Sequence, residues 1–416
     1  MKPSRALLSP ILLLAFFAPL ARGQQASEPS PPQQFRRLTL AGALDLAEKQ
    51  NLDLAAARAQ RAVALAGVRI AGQIPNPTVN FGATRDTPHE SLFLDQPLEL
   101  GSKRSRRIDL AKQQGALTEV NIAGVERQVR LNVRQAFYGL AFARGVTAAR
   151  AKALKLATRL HDIANSRFQA GDIPQLEVTQ AELEEARAKA DAQVAQQEEK
   201  VALSELNALL NEPATLDWEI GEALAAMPPA LALDDLLQRS GASSIEISRV
   251  SQEEKVQASQ TALFKAQRIP NLGLQFGADF NAKPDFQTGG RGQLSMELPI
   301  LAHYQGEIAQ STAAQRALEG EMAATRRSVG AKVESAVFDL EARRSQVELY
   351  RDTLLPASRR LSDMAEESYR AGKANILIVL GAQRDVQQME RDYLDSLLAM
   401  QSAFARLEEA VGTPLD

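Results

Sequence analysis

FQAGDIPQLEV at 168–178 and YRAGKANILIV at 369–379 are two copies of one sequence pattern, separated by 201 residues. The first copy contains Gly171 and the second contains Gly372. Glycine readily adopts the left-handed conformation that ends a helix, so each glycine marks a point where one helix stops and the chain turns back. Other segments match between the two halves at offsets of 195–201. The sequence therefore predicts one structural unit that occurs twice.

Long proline-free intervals flank both glycines and predict long helices, because proline breaks a helix interior. Residues 98–173 and 175–212 surround the first glycine, and residues 300–355 and 357–413 surround the second. A helix over 101–170 would be about 105 Å long, a length typical of fibrous coiled coils and tunnel-forming bundles. Apolar residues recur every three or four positions, as in packed helices; in the first half they are Val125, Val129, Val133, Ala136 and Leu140.

Short segments with a period of two precede the long helices. In 272–281 and 293–300 apolar residues alternate with polar ones, which is typical of strands with one apolar face. The same alternation is weaker in 78–84, and in 91–98 it is broken by Phe93. The residues predicted to face lipid are Leu274, Phe276, Leu294 and Met296, and those predicted to line a barrel lumen are Gln275, Asp279, Gln293, Ser295 and Glu297.

Four such strands pose a problem of closure. Membrane-spanning sheets have no open edges, and single-chain membrane barrels start at eight strands. Two chains would give a barrel too narrow for a water-filled pore, whereas three chains would give twelve strands and a modest lumen. We therefore expect a homotrimer. The alternative is a small soluble sheet on a helical bundle, which would leave one apolar face without a covering helix.

The N-terminal residues are typical of a secretory signal peptide. Lys2 and Arg5 precede an apolar stretch at 6–20, and small residues precede a predicted cleavage site before Gln24. The following residues are polar and proline-rich, as in disordered segments. The sequence contains no cysteine, so we expect no disulfides and no N-terminal lipid anchor.

The predicted organisation has five parts. A signal peptide (1–23) and a disordered segment (24–37) precede the first repeat (38–212), and a linking belt (213–231) precedes the second repeat (232–416). The first repeat is predicted to contain a helix, a β-hairpin at about 77–99, a long helix at about 101–170 and a helix at about 174–211. The second is predicted to contain a helix, a β-hairpin at about 271–300, a long helix at about 303–370 and a helix at about 374–412.

Composition and motifs argue against several classes of function. The net charge of −3 lacks the basic excess of nucleic-acid-binding proteins. The three histidines are far apart, and there is no phosphate-binding glycine loop and no pair of histidines at metal-ligand spacing. We therefore predict no catalytic residues, no cofactor and no metal site. The basic stretch KRSRR (103–107) opens a helix after a strand and is expected to meet lipid headgroups or water.

The ordered set of motifs resembles the TolC-like outer-membrane efflux family of Gram-negative bacteria. The stretches that carry the resemblance are LTLAGALDLAEKQNLDL (38–54), IPNPTV (74–79), QPLELGSKRSRRIDLA (96–111), LPILAHYQGEIAQS (298–311) and SYRAGKANILIVLGAQRD (368–385). The stretch LELGSKRSRR is most similar to the branch that serves heavy-metal RND pumps. The chain departs from the family at Ile300, where a phenylalanine-containing PLF is common, and at Gly381, where an aspartate is common.

The resemblance implies a fold that is mainly α with a small β part. Long antiparallel helices and β-hairpins form a duplicated unit, and three chains form a twelve-stranded outer-membrane barrel that continues into a periplasmic α-helical tunnel. The implied partners are a periplasmic adaptor (membrane fusion protein), an inner-membrane RND pump reached through it, and outer-membrane lipid. The residues implied to dock the adaptor are Ala170, Gly171, Asp172, Ala371, Gly372 and Lys373.

The function predicted from this resemblance is a passive exit duct of a tripartite efflux system, for metal cations or small toxic compounds. A duct for type I protein secretion has the same fold and stays open as an alternative. A different class of protein, a secreted coiled-coil scaffold without a channel, is the remaining alternative. No residues support an enzyme.

Overall fold

The computed structural model describes residues 36–222 and 224–415. The predicted signal peptide and residues 24–35 of the predicted disordered segment lie outside the described residues. Arg36 and Arg37, which end that segment, belong instead to strand β1 (Arg36–Leu38), which pairs in parallel with β4 (Trp218–Ile220). Disorder was the wrong expectation for these two residues, because their backbone finds a partner strand in the linking belt.

The two halves contain the same series of elements. The first half consists of α1 (Leu40–Gln50), α2 (Leu52–Ala71), β2 (Thr78–Ala83), β3 (Glu90–Leu98), α3 (Lys103–Gln169) and α4 (Gln175–Leu210). The second half consists of α5 (Leu233–Ser243), α6 (Ile245–Gln267), β5 (Leu272–Ala282), β6 (Phe286–Met296), α7 (Gln305–Leu349), a π-helical turn (Tyr350–Leu354), α8 (Leu355–Arg370) and α9 (Ile376–Val411).

Two details differ from the predicted helices. The first helix of each half is a pair of helices, because Asn51 and Ser244 each begin a new helix by accepting a backbone N–H with the side chain. The predicted long helix of the second half is interrupted by the π-helical turn. Pro356 follows this turn, and the wider turn accommodates a residue that cannot donate a backbone hydrogen bond.

The four longer strands form one antiparallel sheet in the order β2-β3-β5-β6. Each half contributes one hairpin, and the two hairpins join through β3 and β5. The sheet lies at the ends of α3 and α7 that are opposite to the glycine turns, since both helices begin shortly after a strand and run away from it. None of the helices in the described ranges is both long and apolar enough to cross a membrane.

The larger apolar core lies where α3, α4, α7 and α9 pack beside the linking belt, and a smaller core lies near the glycine turns. A buried asparagine fixes the belt to this core. The Nδ2 of Asn207 donates to the carbonyl oxygens of Pro213 and Leu216 at 3.0 and 2.8 Å, and its Oδ1 accepts a hydrogen bond from Trp218 Nε1 at 2.6 Å. The largest fully buried residues of the larger core include Phe137, Leu140, Leu206, Leu210, Met400 and Leu407.

Candidate functional site

One face of the sheet is mainly apolar. Directly opposite residues in an antiparallel sheet lie on the same face, so the strand register assigns every residue to a side. Phe276 lies opposite Leu94, and Leu94 lies opposite Val79. We call this side the apolar face; its large apolar residues are Val79, Phe81, Leu92, Leu94, Leu98, Leu272, Leu274, Phe276, Phe280, Leu294 and Met296. The same side also carries Gln96 near the helices and Glu90 at the far end of β3. The four residues predicted to face lipid are therefore on one side of the sheet.

The other side of the sheet is polar. Gln275 lies opposite Asp95 on one neighbouring strand and opposite Gln293 on the other. We call this set the polar face; it comprises Thr78, Asn80, Ser91, Phe93, Asp95, Gln275, Asp279, Arg291, Gln293 and Ser295. Four residues of the predicted lumen lining are thus on one side, whereas Glu297 lies one residue beyond the end of β6.

Phe93, which breaks the alternation in the sequence, lies on the polar face for a specific reason. It is opposite Gly277, and a Cβ added to that glycine would meet Phe93 Cδ1 at 2.4 Å. The Arg291 guanidinium lies over the Phe93 ring, 4.6 Å from its centre, and Arg291 Nη2 donates to Asp279 Oδ1 at 3.1 Å. Sequence analysis did not predict this cluster, although a glycine inside a strand is a signal of close approach.

The two edges of the sheet are open. β2 and β6 are the outer strands, and neither has a second partner among the strands that the structure describes. Unpaired strand edges present free N–H and C=O groups, which favour pairing with another chain. An apolar face together with two open edges is unfavourable for an isolated chain.

The glycine turns form the opposite end of the molecule. Gly171 has a φ of +82° and Gly372 a φ of +71°, as expected for left-handed residues that end helices. In both turns the residue after the glycine closes the end of the helix with a backbone hydrogen bond. Asp172 N donates to Arg167 O and Lys373 N donates to Ser368 O, each at 2.9 Å. We call residues 170–172 the first tip and residues 371–373 the second tip. All six residues predicted to dock an adaptor are exposed.

Arg167, shortly before the first tip, contacts Tyr369, shortly before the second tip. The Arg167 guanidinium lies 5.0 Å from the centre of the Tyr369 ring, and its Nη1 donates to the Tyr369 carbonyl oxygen at 3.3 Å. Burial raises the pKa of the Tyr369 hydroxyl, and the Glu177 carboxylate adds to the rise. The Tyr369 hydroxyl and Glu177 Oε2 are buried without hydrogen-bond partners among the described residues.

Other polar contacts brace the helices behind the tips. Thr158 and His161 of α3 both contact the Glu185 carboxylate of α4 at 2.7 Å. The Arg384 guanidinium of α9 contacts Glu184 of α4 at 2.5 Å. Asp172 and Lys373, which occupy corresponding positions in the two tips, do not form an ion pair with each other.

The basic stretch at 103–107 serves a structural role that the sequence prediction missed. The Nζ of Lys103 donates to Asn271 Oδ1 at 2.6 Å, and Arg104 Nε donates to the Gly72 carbonyl oxygen at 2.7 Å. Arg107 pairs with Glu99 and contacts the Ala71 carbonyl oxygen. Two of these cations therefore bind the carbonyl groups that α2 leaves unpaired at its C-terminus, where positive charge is favourable. The expectation of headgroups or water was wrong for Lys103, which is buried, whereas Arg104 is exposed and Arg107 is partly exposed.

Neither end of the molecule resembles a reaction centre. Among residues 36–222 and 224–415, no group of three or more aspartate, glutamate or histidine side chains could hold a metal ion. The features that stand out are surfaces: an open two-faced sheet at one end and paired helix tips at the other.

A two-faced, open-edged sheet on helical hairpins of this length defines the class of outer-membrane channel proteins with a long helical body. The chain belongs to the outer membrane efflux protein family, whose family model matches residues 43–212 and 236–413. The resemblance drawn from the sequence motifs is thereby confirmed. Proteins of this family are efflux channels of the Gram-negative outer membrane.

Individual proteins show the same likeness. The chain is 27% identical to the cobalt-zinc-cadmium resistance protein CzcC of Cupriavidus metallidurans over an alignment of 418 positions, which covers 98% of this chain and 100% of CzcC. Two solved structures share its fold. The MtrE outer membrane channel of Neisseria gonorrhoeae has a TM-score of 0.72 at 17% identity, covering 90% of this chain and 89% of MtrE. The outer membrane protein VceC of Vibrio cholerae has a TM-score of 0.73 at 15% identity, covering 91% and 97%.

Proposed function

We propose that this protein is the outer-membrane exit duct of a tripartite efflux system and that it carries heavy-metal cations. The observation that carries the proposal is the sheet, with its apolar face, its polar face and its two open edges. A closed ring of such sheets would turn the apolar faces to lipid and the polar faces to a water-filled lumen. The duct itself is passive, because the chain has no phosphate-binding loop that would couple transport to ATP.

The duct is a homotrimer. Each chain supplies four strands, so three chains supply twelve, and the free edge of β6 in one chain pairs with the free edge of β2 in the next. The same arrangement places three copies of the α3–α4 and α7–α8–α9 hairpins around one axis. Exposed apolar side chains along α4 support contacts between chains; they are Leu176, Leu183, Val194 and Val201.

The two tips face the periplasm and bind the adaptor. They lie at the opposite end of the molecule from the apolar face, and their turn residues are exposed. The adaptor in turn connects the duct to an inner-membrane RND pump, which supplies the driving force. The tips present both signs of charge, Asp172 and Lys373, together with the partly exposed Phe168.

Metal cations are the proposed cargo because of the likeness to CzcC over the whole chain. No observation favours the secreted-protein cargo of a type I system. Membership of the efflux family replaces the alternative of a secreted scaffold.

The experiment is a tolerance assay in a host that lacks the gene. The native protein should reach the outer membrane and raise tolerance to cobalt, zinc or cadmium when its adaptor and pump are present. Phe276→Arg, which disrupts the apolar face, should abolish the gain, and Gln275→Arg on the adjacent polar position should not prevent insertion. Restored tolerance to drugs without any effect on metals would reject metal cations as the cargo.

A further inference from the structure

The polar face carries three ionisable side chains within the paired strands. Asp95 is on β3, Asp279 is on β5 and Arg291 is on β6, and the register puts all three on one side of the sheet. Every other residue on this side within the four strands is neutral, and Glu297, one residue beyond β6, lies close enough to the Lys103 ammonium to interact with it electrostatically. The charge that the sheet presents to a lumen therefore depends on how these three groups are paired.

The charges of Arg291 and Asp279 cancel, because the two side chains form an ion pair. Arg291 Nη2 donates to Asp279 Oδ1 at 3.1 Å, and the centre of the same guanidinium lies 4.6 Å from the centre of the Phe93 ring. Gly277 leaves the space that lets Phe93 lie at this position. The arginine side chain therefore lies along the sheet beside Asp279, and the pair adds little net charge to the lumen.

Asp95 is different, because its contact is with a neutral group. Asn80 Nδ2 donates to Asp95 Oδ2, and Asp95 forms no ion pair with any residue in the described ranges. Its neighbours on the same cross-strand row are Thr78, Gln275 and Gln293, all of them uncharged. The row also lies nearer to the helices than the Arg291 row does, since Asp95 follows Phe93 toward α3.

We propose that Asp95 makes the barrel selective for cations by placing one uncompensated carboxylate per chain at a single level of the lumen. The inference rests on the trimeric duct of the proposed function, in which the three carboxylates form a ring. Twelve strands about 4.8 Å apart and tilted by about 40° enclose a cylinder with a backbone radius of about 12 Å. Side chains occupy roughly half of that radius, so the axis lies about 6–8 Å from each carboxylate.

This distance makes the effect dependent on salt. The Debye length is about 10 Å at 0.1 M ionic strength and about 3 Å at 1 M. Three charges at this range therefore act on an ion at the axis in dilute salt and are screened in concentrated salt. We expect the ratio of cation to anion permeability to fall about fivefold or more when Asp95 is neutralised at 0.1 M, and to change less than about twofold at 1 M.

The test measures reversal potentials of the purified native duct in planar bilayers under asymmetric KCl, at low and at high mean salt. Asp95→Asn should lower the permeability ratio only at low salt. The double variant Asp279→Asn with Arg291→Gln removes one charge of each sign and should leave the ratio unchanged. Gln275→Glu, added to Asp95→Asn, restores a carboxylate to the same row and should restore the ratio.

The outcomes separate this inference from the proposed function. An unchanged ratio in a conducting Asp95→Asn duct would overturn the inference and leave the duct intact. A ratio that falls but is not restored by Gln275→Glu would also overturn it, because the effect would then come from altered packing. Native trimers that insert into the bilayer without conducting would reject the duct and the inference together.

Discussion

Phe276→Arg tests which face of the sheet meets lipid. Phe276 is 60% exposed in the single chain and lies among the leucines of the apolar face. β5 contains 11 residues, and at about 3.4 Å per residue and a tilt of about 40° such a strand spans roughly 26 Å, close to the thickness of the apolar band of an outer-membrane barrel. As the fifth residue of the strand, Phe276 lies within about 3 Å of the midplane.

This depth determines the size of the effect. Arginine on the lipid face near the midplane costs about 2–4 kcal/mol for each chain, and a trimer carries the charge three times, so the total is about 6–12 kcal/mol. We expect a large fall in the amount of trimer that reaches the outer membrane. Membrane fractionation followed by mass measurement in detergent gives the yield, and urea unfolding from lipid vesicles gives the free energy.

The neighbouring residue supplies the matched control. Gln275→Arg introduces the same side chain one position away, on the polar face, where water solvates the charge. This variant should assemble normally and change only the conductance. Equal assembly of the two variants would refute the assignment of the faces, and selective failure of Gln275→Arg would show that the faces are reversed.

Three further predictions follow from other parts of the molecule. The native protein in detergent should have the mass of a trimer, because four strands leave open edges; a stable monomer with intact β-structure would contradict closure. Gly372→Val strains a left-handed residue by about 1–2 kcal/mol, so the trimer should still form while crosslinking to the adaptor and export both decrease. The control Gly320→Val, within α7 and in open space, should leave crosslinking and export unchanged. Full export by the Gly372→Val variant would show that the turn only ends a helix. Asn207→Ala removes the hydrogen-bond partner of the buried Trp218 Nε1 and of the Pro213 and Leu216 carbonyl oxygens. It should lower the free energy of unfolding by about 1–3 kcal/mol, measured by thermal denaturation against exposed Gln196→Ala. Equal melting of the two variants would show that the belt is held by other contacts.

The glycine turns and the strand faces were predictable because each depends on local sequence. Gly171 and Gly372 must adopt a positive φ, which few other residues tolerate, and strand alternation fixes the side of every residue once the register is known. The sequence duplication repeated both patterns, the turn glycine and the alternating strand, in the second half of the chain. For these features the sequence pattern alone carried the information.

The features that sequence analysis missed depend on contacts between distant segments. Phe93 looks like an error in an alternating strand until Gly277 and Arg291 are placed beside it. Arg104 looks like a free cation until the C-terminus of α2 is seen to end against it. The π-helical turn was missed for a related reason, since Pro356 marks a disturbance of the helix without stating how the backbone absorbs it.

The duplicated turns have one backbone conformation but two environments. In the first tip Phe168 is partly exposed, whereas the residue 201 positions later, Tyr369, is buried beneath Arg167 of the first half. The proposed trimer therefore presents six turns of two alternating kinds. A partner that binds all six alike must use the shared exposed turn residues, and a partner that distinguishes them must contact Phe168 or displace Arg167. Because Arg167 belongs to one half and covers the other, any partner that moves it changes both kinds of tip together.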